Sequence, residues 1–279
     1  MKQHQDVFTI RGMCEVFGVS TSGYYAWLER PVSKRAQRNE VLTEKIKIIH
    51  TDRRATYGSP RVHSELIANG EQVCENTVAK IMRQEGIRSN RVKRFTARTT
   101  DSRHGFGVAP NTLDQDFTAQ RRNEKWVSDI TYLETSEGWM YLAVVLDLYS
   151  RKVVGWSMSE HLRAELAIAA LDMAVMRRGT CAGVLHHSDR GVQYASREYQ
   201  GRLLDNEMKC SMSRTGNCYD NAAVESFFSS MKSESVYQKK YATREEARRD
   251  VFEYIEVFYN RVRRHSALGY VSPEAFEAA

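Results

Sequence analysis

The 279-residue sequence predicts an α/β protein: a mixed five-stranded sheet with flanking helices, preceded by an all-α region. Three observations lead there. Apolar residues recur at helical spacing through roughly the first third of the chain. From Trp126 onward, short apolar runs bounded by turn residues replace that pattern. In this second part the elements run β-β-β-α-β-α-β-α.

The first helix is marked by Ile10, Met13, Cys14 and Phe17. In "GVSTSGYYAWL", Gly18 can end it and Ser20 can cap the next, leaving the short turn of a helix-turn-helix. That stretch alone fits an ordinary helical hairpin equally well. Leu42, Ile46 and Ile49 mark a further helix. "YGSPRVHSELIANG" follows, with Ser59 as cap, Pro60 at the first helical position and Gly70 closing it. "ENTVAKIMRQEG" gives another, capped near Glu75-Asn76, with Val78, Ile81 and Met82 inward. Its other face carries Thr77, Lys80 and Arg83, where a groove-reading helix places its contacts. "IRSNRVKRFTAR" then brings Arg91, Lys93 and Arg94 within a basic run free of acids. Residues 96–122 lack periodicity and hold Gly105, Gly107 and Pro110, so a linker is expected.

In the second half, "WVSDITYLE", "GWMYLAVVLDLYS" and "RKVVGWSMS" read as three strands of a meander. "RAELAIAALDMAVMRR" is a helix with Leu166, Ala170, Met173 and Ala174 on one side. "GVLHHSD" is a fourth strand, "SREYQGRLLDNEM" a helix and "KCSMS" a short fifth strand. The loop "RTGNCYDN", with Asp220-Asn221 as its simplest helix cap, leads into the helix "AAVESFFSSMKSE". Three antiparallel strands extended by helical crossovers form a ribonuclease-H-like sheet. The expected domains are a helical DNA-binding region at 1–95, a linker at 96–122 and a catalytic domain at 123–279.

Charge is divided unequally. Residues 1–125 hold 22 Lys+Arg against 14 Asp+Glu, and residues 126–279 hold 19 against 21. A basic front half points to a polyanion partner, and the helix-turn-helix candidates make that partner DNA. The longest apolar stretch, Met140–Leu146, is far below the ~18 residues of a membrane span. The five scattered cysteines (14, 74, 181, 210, 218) include no CxxC pair. They fit a reducing compartment, and a cytoplasmic location is expected.

Asp129 lies in the first strand and Asp189 ends the fourth. In the predicted order these strands are neighbours, so the two aspartates face each other. Glu225 lies on the helix after the fifth strand. Val224, Phe228 and Met231 bury that helix, while Glu225, Ser229 and Lys232 form a neighbouring stripe. Converging carboxylates repel unless a cation intervenes, and one or two magnesium ions would make them a phosphoryl-transfer site. Asp147 and Glu165 are rivals for the third carboxylate, and His186-His187 are weaker candidates as metal ligands. Gly191 and Gln193 shape the loop after Asp189, and Asn217 and Asn221 order the loop before Glu225. Tyr259, Asn260, Arg263, Arg264 and His265 follow a helix whose Val251, Tyr254, Ile255 and Phe258 face inward. Part of that cluster is expected to be structural and part to contact the DNA backbone.

"WVSDITY", "HHSDRGVQYAS", "SRTGNCYDNAAVESFFSSMKSE" and "YNRVRRHSALGYVSPEAF" resemble the OrfB transposase of the IS-three family of bacterial insertion sequences. That family belongs to the DDE superfamily with the retroviral integrases. The resemblance covers nearly the whole chain. It departs at "RRNEKWVSD", where the family more often has Pro-Asn before the tryptophan. It implies that Asp129, Asp189 and Glu225 are the catalytic, metal-binding triad, with two Mg2+ ions and Mn2+ able to substitute. It implies that Lys232 contacts DNA near the element end. It also implies binding of terminal inverted repeats and target DNA, strand cleavage and 3′-OH strand transfer, and a copy-out route through a circular intermediate. An OrfA partner or OrfA-OrfB frameshift fusion, and a homo-oligomer on DNA, are implied as well. A DNA-binding regulator without catalysis, and a nuclease that cuts without joining, are the rival functions.

Overall fold

The computed structural model describes residues 1–90, 107–214 and 218–279. Arg91, Lys93, Arg94 and Asn217 lie outside them. Five helices come first: α1 (Ile10–Val16), α2 (Thr21–Glu29), α3 (Lys34–Asp52), α4 (Ser59–Ala68) and α5 (Glu75–Gln84). The side chain of Ser20 caps α2 by accepting from the Gly23 amide at 3.0 Å, and Gly18 turns the chain at φ 64°. Two expected caps differ. Gly58, not Ser59, is the N-cap of α4, which puts Pro60 at the second helical position. Cys74, not Glu75-Asn76, caps α5. One residue of offset is the usual uncertainty of a helix end read from composition.

The sheet comprises β1 (Lys125–Thr135), β2 (Gly138–Asp147), β3 (Val153–Ser159), β4 (Leu185–Ser188) and β5 (Lys209–Met212), ordered β3-β2-β1-β4-β5. The first three are antiparallel, and β4 and β5 add in parallel beside β1. Both faces are covered, so β2 reads as an almost unbroken apolar run. Alternate residues serve the two sides. Val127, Leu133, Leu142, Val144 and Leu146 pack towards α9 (Ala222–Glu234) and α10 (Arg244–Phe252). Trp126, Ala143, Val145 and Val154 pack towards α6 (Ala164–Arg178), α7 (Val192–Ala195) and α8 (Arg197–Asp205). Gly155 lets α6 lie directly on β3: a Cβ there would come 2.1 Å from the Ala170 carbonyl oxygen.

After α10 the chain widens into a π-helical segment, Glu253–Tyr259, and ends in α11 (Pro273–Ala278). The expected linker is, in its described part, a strap on the sheet. Leu113 is buried, and the amides of Thr112 and Leu113 both donate to Ser211 Oγ, at 2.9 and 3.1 Å. The helical half is also tied to the C-terminal segment. Tyr57 is fully buried and its hydroxyl accepts from the Arg264 amide at 2.8 Å. No helix among the described residues is long and apolar enough to cross a membrane.

Candidate active site

The pairing of β1 with β4 decides where the aspartates go. Ser128 stands opposite Ser188 in a parallel register, so Asp129 and Asp189 follow from adjacent strands at matching positions. Both line a cleft of about 360 Å³ together with Tyr132, Trp139, Tyr141 and Tyr194. Asp129 Oδ1 accepts from the Ile130 amide at 2.8 Å, and Asp189 Oδ1 accepts from the Gly191 amide at 2.9 Å. Glycine leaves room for this bond: a Cβ at Gly191 would lie 2.9 Å from Gln193 Oε1 and 3.0 Å from Asp189 Oδ1.

The third carboxylate comes from the first turn of α9. Asn221, which begins that helix, donates its side-chain amide to the Ser128 carbonyl at 3.0 Å. This bond fixes α9 to the strand one residue before Asp129. Glu225 is exposed, and its charge reaches Asp129. Burial pushes the Asp129 carboxyl well above its ordinary range, and the charges of Asp189 and Glu225 push it further. The Ile130 amide and the Lys232 ammonium oppose the shift. Among the described residues, no three His, Cys, Asp or Glu side chains are gathered tightly enough to hold one ion together. The donor set is nonetheless all carboxylate oxygen, which suits a hard cation such as magnesium, and a cation would relieve the repulsion on Asp129.

Several expected site residues are placed elsewhere. Lys232 does not face solvent. It is 7% exposed, its Nζ lies 4.8 Å from the centre of the Tyr132 ring, and burial lowers its pKa to about 8. Arg263 is buried and donates two 2.7 Å bonds to Glu234. Arg264 spends its guanidinium on Glu65, Ser64 and the Tyr270 carbonyl. These contacts engage both guanidinium groups within the chain, with Arg263 buried and Arg264 half-buried. Asp220 is not a helix cap. It accepts from the Arg214 amide and guanidinium, from Asn111 and from Gln115, and the Arg214 hydrogen bond leads in holding its carboxyl well below the usual range.

The rival ligands are likewise engaged. His186 bonds Ser128 and Tyr199, and His187 bonds Ser211 and Ser213. Burial lowers their pKa values to about 3 and about 4, so both rings are neutral supports of the strand end. Asp147 is fully buried, accepts from the Asn123 and Tyr149 amides, and pairs with Arg178. Glu165 is exposed in the first turn of α6. In the helical half, Lys80 and Arg83 are exposed on α5 and Thr77 is half-buried. One residue of consequence, Arg151, gave no sign in the sequence; its left-handed backbone is visible only in the structure.

The chain matches the integrase core domain family over residues 119–218 and again over 206–273, and an HTH-like domain family over residues 36–95. It is 45% identical over 279 residues to the transposase InsF for insertion sequence IS3A of Escherichia coli (strain K12), covering 99% of this chain and 96% of the relative. It is 45% identical over 264 residues to a 31 kDa protein of insertion element IS600 from Shigella sonnei, covering 95% and 97%. Among solved structures, a chain of the simian T-cell lymphotropic virus intasome in complex with PP2A regulatory subunit B56 gamma aligns at TM-score 0.48 and 14% identity, covering 84% of this chain and 74% of that one. Identity of this depth along nearly the whole length, together with the integrase core over the sheet and its final helices, places the chain in the IS3 (IS-three) family of insertion-sequence transposases, as a DDE-type polynucleotidyl transferase.

Proposed function

We propose that this transposase binds the terminal inverted repeats of its element through the helical half, and cuts and joins DNA at Asp129, Asp189 and Glu225. The parallel pairing of β1 with β4 is the observation that carries this reading, because it brings two carboxylates side by side in an open cleft. Hydrolysis of one phosphodiester frees a 3′-hydroxyl, and that hydroxyl then displaces an oxygen at a second phosphodiester. Two bound magnesium ions, or manganese in their place, would supply activation of the attacking oxygen and stabilisation of the leaving one. The chain's own part is to present carboxylate oxygens on rigid elements: a strand for Asp129, a glycine-closed loop for Asp189 and an Asn221-anchored helix for Glu225. The Lys232 ammonium offsets part of the negative charge felt by Asp129. Lys80 and Arg83 offer an exposed basic face on α5 for the repeat. An OrfA partner or fusion, assembly into a homo-oligomer on DNA, and action on nucleoid DNA in the cytoplasm complete the proposal.

A strand-transfer assay on DNA carrying the cognate ends tests it. Asp129→Asn, Asp189→Asn and Glu225→Gln should each abolish cleavage and joining while end binding stays within about twofold of wild type. Wild-type joining by any one of the three removes that residue from the triad.

A further inference from the structure

A second cavity, of about 350 Å³, opens on the α9 side of the sheet. The charged and titratable side chains lining it are Arg61 from α4, Arg151 from the β2–β3 turn, Tyr259, Arg263 and His265, with the hydroxyls of Ser226 and Ser230 beside them. No Asp or Glu is among its described lining residues. Glu234, behind the wall, engages Arg263 at 2.7 Å and Arg61 at 3.8 Å. One carboxylate thus faces two of the three guanidinium groups from behind the wall, and the described lining itself carries guanidinium groups and no carboxylate. Its effect is visible on His265: burial, then the charges of Arg263, Arg61 and Arg151, lower the imidazole pKa to about 2.

Arg151 is the unusual member. It is half-buried, and among the described residues it makes neither a hydrogen bond nor an ion pair. A guanidinium withdrawn from water without an anion is costly. Its backbone sits at φ 59°, in the left-handed region that a glycine or asparagine occupies at less cost. The turn is held in this form by its neighbours. The Asp147 amide donates to the Lys152 carbonyl at 2.9 Å, and Ser150 Oγ donates to Glu277 at 2.6 Å. Among the described residues no carboxylate pairs with this arginine, and an external anion would supply the missing counter-charge.

We propose that this cavity seats one backbone phosphate of the DNA strand entering the catalytic cleft, held by Arg151, Arg61 and the hydroxyls of Ser226 and Ser230. Planar guanidinium donors match phosphate oxygens in geometry and charge. The position fits a strand passing the active site. Ser226 follows Glu225 in the first turn of α9 and points about 100° away from it. Asp147, at the foot of the turn, pairs with Trp126, three residues before Asp129. That sets the foot of the turn ~10 Å from Asp129 along the strand, a separation of a few nucleotide steps of about 3.4 Å. Because Arg61 belongs to the helical half, a phosphate here would also couple end binding to the catalytic half. The proposal rests on the reading of the chain as a binder of element ends.

The test is a salt titration of the full-length protein on a labelled duplex carrying the cognate end, with Arg151→Gly compared with wild type. Glycine relaxes the left-handed backbone, so the melting temperature should stay level or rise. Affinity should fall on the order of tenfold, and the slope of log K against log salt should shrink by about 0.9, the value of one lost phosphate contact. Arg151→Asn, which also tolerates the turn, should behave alike. Unchanged affinity and slope would overturn the proposal, and so would a lowered melting temperature in both variants, which would make the arginine a structural element. Inorganic phosphate that stabilises wild type, with no change of DNA slope in Arg151→Gly, would assign the cavity to a free anion instead. Strand transfer by wild type alongside an unaffected Arg151→Gly refutes only this pocket; loss of the slope in a protein that never joins strands refutes only the triad.

Discussion

The Nζ atom of Lys232 sits 4.8 Å from the centre of the Tyr132 ring, and its charge acts on Asp129. At 7% exposure the lysine is enclosed within the fold and does not stand out toward solvent. It acts instead on the carboxylate beside it, keeping Asp129 easier to ionise than burial and like charge would leave it. Lys232→Met keeps the stem and removes the charge. End affinity and its salt slope should be unchanged, while strand transfer at neutral pH falls, because Asp129 becomes harder to ionise without the ammonium. The acid limb of the pH–activity profile should move to higher pH. A slope reduced by about 0.9 would instead make Lys232 a DNA contact.

Asp129 stores repulsion that magnesium would relieve. Its carboxyl titrates well above the unfolded value, chiefly through burial and then Asp189. The folded state therefore binds this proton more tightly than the unfolded state does. The resulting stability is present at low pH and is lost as pH rises from the ordinary carboxylate range through the folded pKa. In chelator, Asp129→Asn should melt higher than wild type above that window and at the same temperature below it. Magnesium should then stabilise wild type, by about 1.4 kcal/mol at ten times its Kd, and leave Asp129→Asn nearly unmoved. Thermal melts across pH, with chelator and with magnesium, check both parts. Equal magnesium stabilisation of the two proteins would mean that Asp129 is not a ligand.

Glu234 and Arg263 form a buried pair joined by two 2.7 Å bonds, and Tyr254 donates to the same carboxylate at 2.9 Å. Burial favours the neutral acid, but the Arg263 hydrogen bonds outweigh it and hold Glu234 below its usual range. A depressed carboxylate contributes stability above its unfolded pKa and loses it as pH falls through the folded one. Glu234→Gln leaves the Arg263 charge buried without its counter-ion and should cost about 3–5 kcal/mol in urea denaturation. Arg263→Ala should destabilise similarly without changing the DNA salt slope of the folded fraction. A stable Arg263→Ala with a reduced slope would return this arginine to the DNA surface.

The order of strands was readable because it depends on local signals: three runs with tight turns, then two reached through helices. The adjacency of Asp129 and Asp189 follows from that order, and β1–β4 pairing realises it. What could not be read depends on partners distant in the chain. A helical wheel places Lys232 on a stripe beside Glu225 but does not show that Tyr132 lies across from it. The basic run around Arg263 and Arg264 looks like a DNA surface until Glu234 and Glu65, 29 and 199 residues away, are seen to claim it. Asp220 beside a helix start looks like a cap, yet Arg214, Asn111 and Gln115 converge on it. Arg151 was silent because a left-handed arginine has no compositional signature.

The helical half is bound to the catalytic half by a contact that can be removed one atom at a time. Tyr57 Oη accepts from the Arg264 amide at 2.8 Å and lies 3.4 Å from the Val262 carbonyl oxygen, to which it donates. Nearby, Arg264 and Arg53 both bond Glu65, and Arg54 pairs with Glu253 at 2.5 Å. Tyr57→Phe removes the hydroxyl and leaves the Arg264 amide without its acceptor, which should cost about 1–3 kcal/mol in the full-length chain. A fragment of residues 1–95 lacks Val262 and Arg264 altogether, so the Tyr57 hydroxyl there loses both of these partners, while Glu65 loses Arg264 and keeps Arg53. The fragment should melt below the full chain while still binding element ends through its basic α5 face. The decisive measurement compares the substitution in both settings. Tyr57→Phe should lower the melting temperature of the full chain and leave that of the fragment unchanged, because the fragment has no Arg264 amide to orphan. An equal loss in both would locate the role of Tyr57 within the helical half alone, and the two halves would then be joined by the remaining ion pairs and not by this hydroxyl.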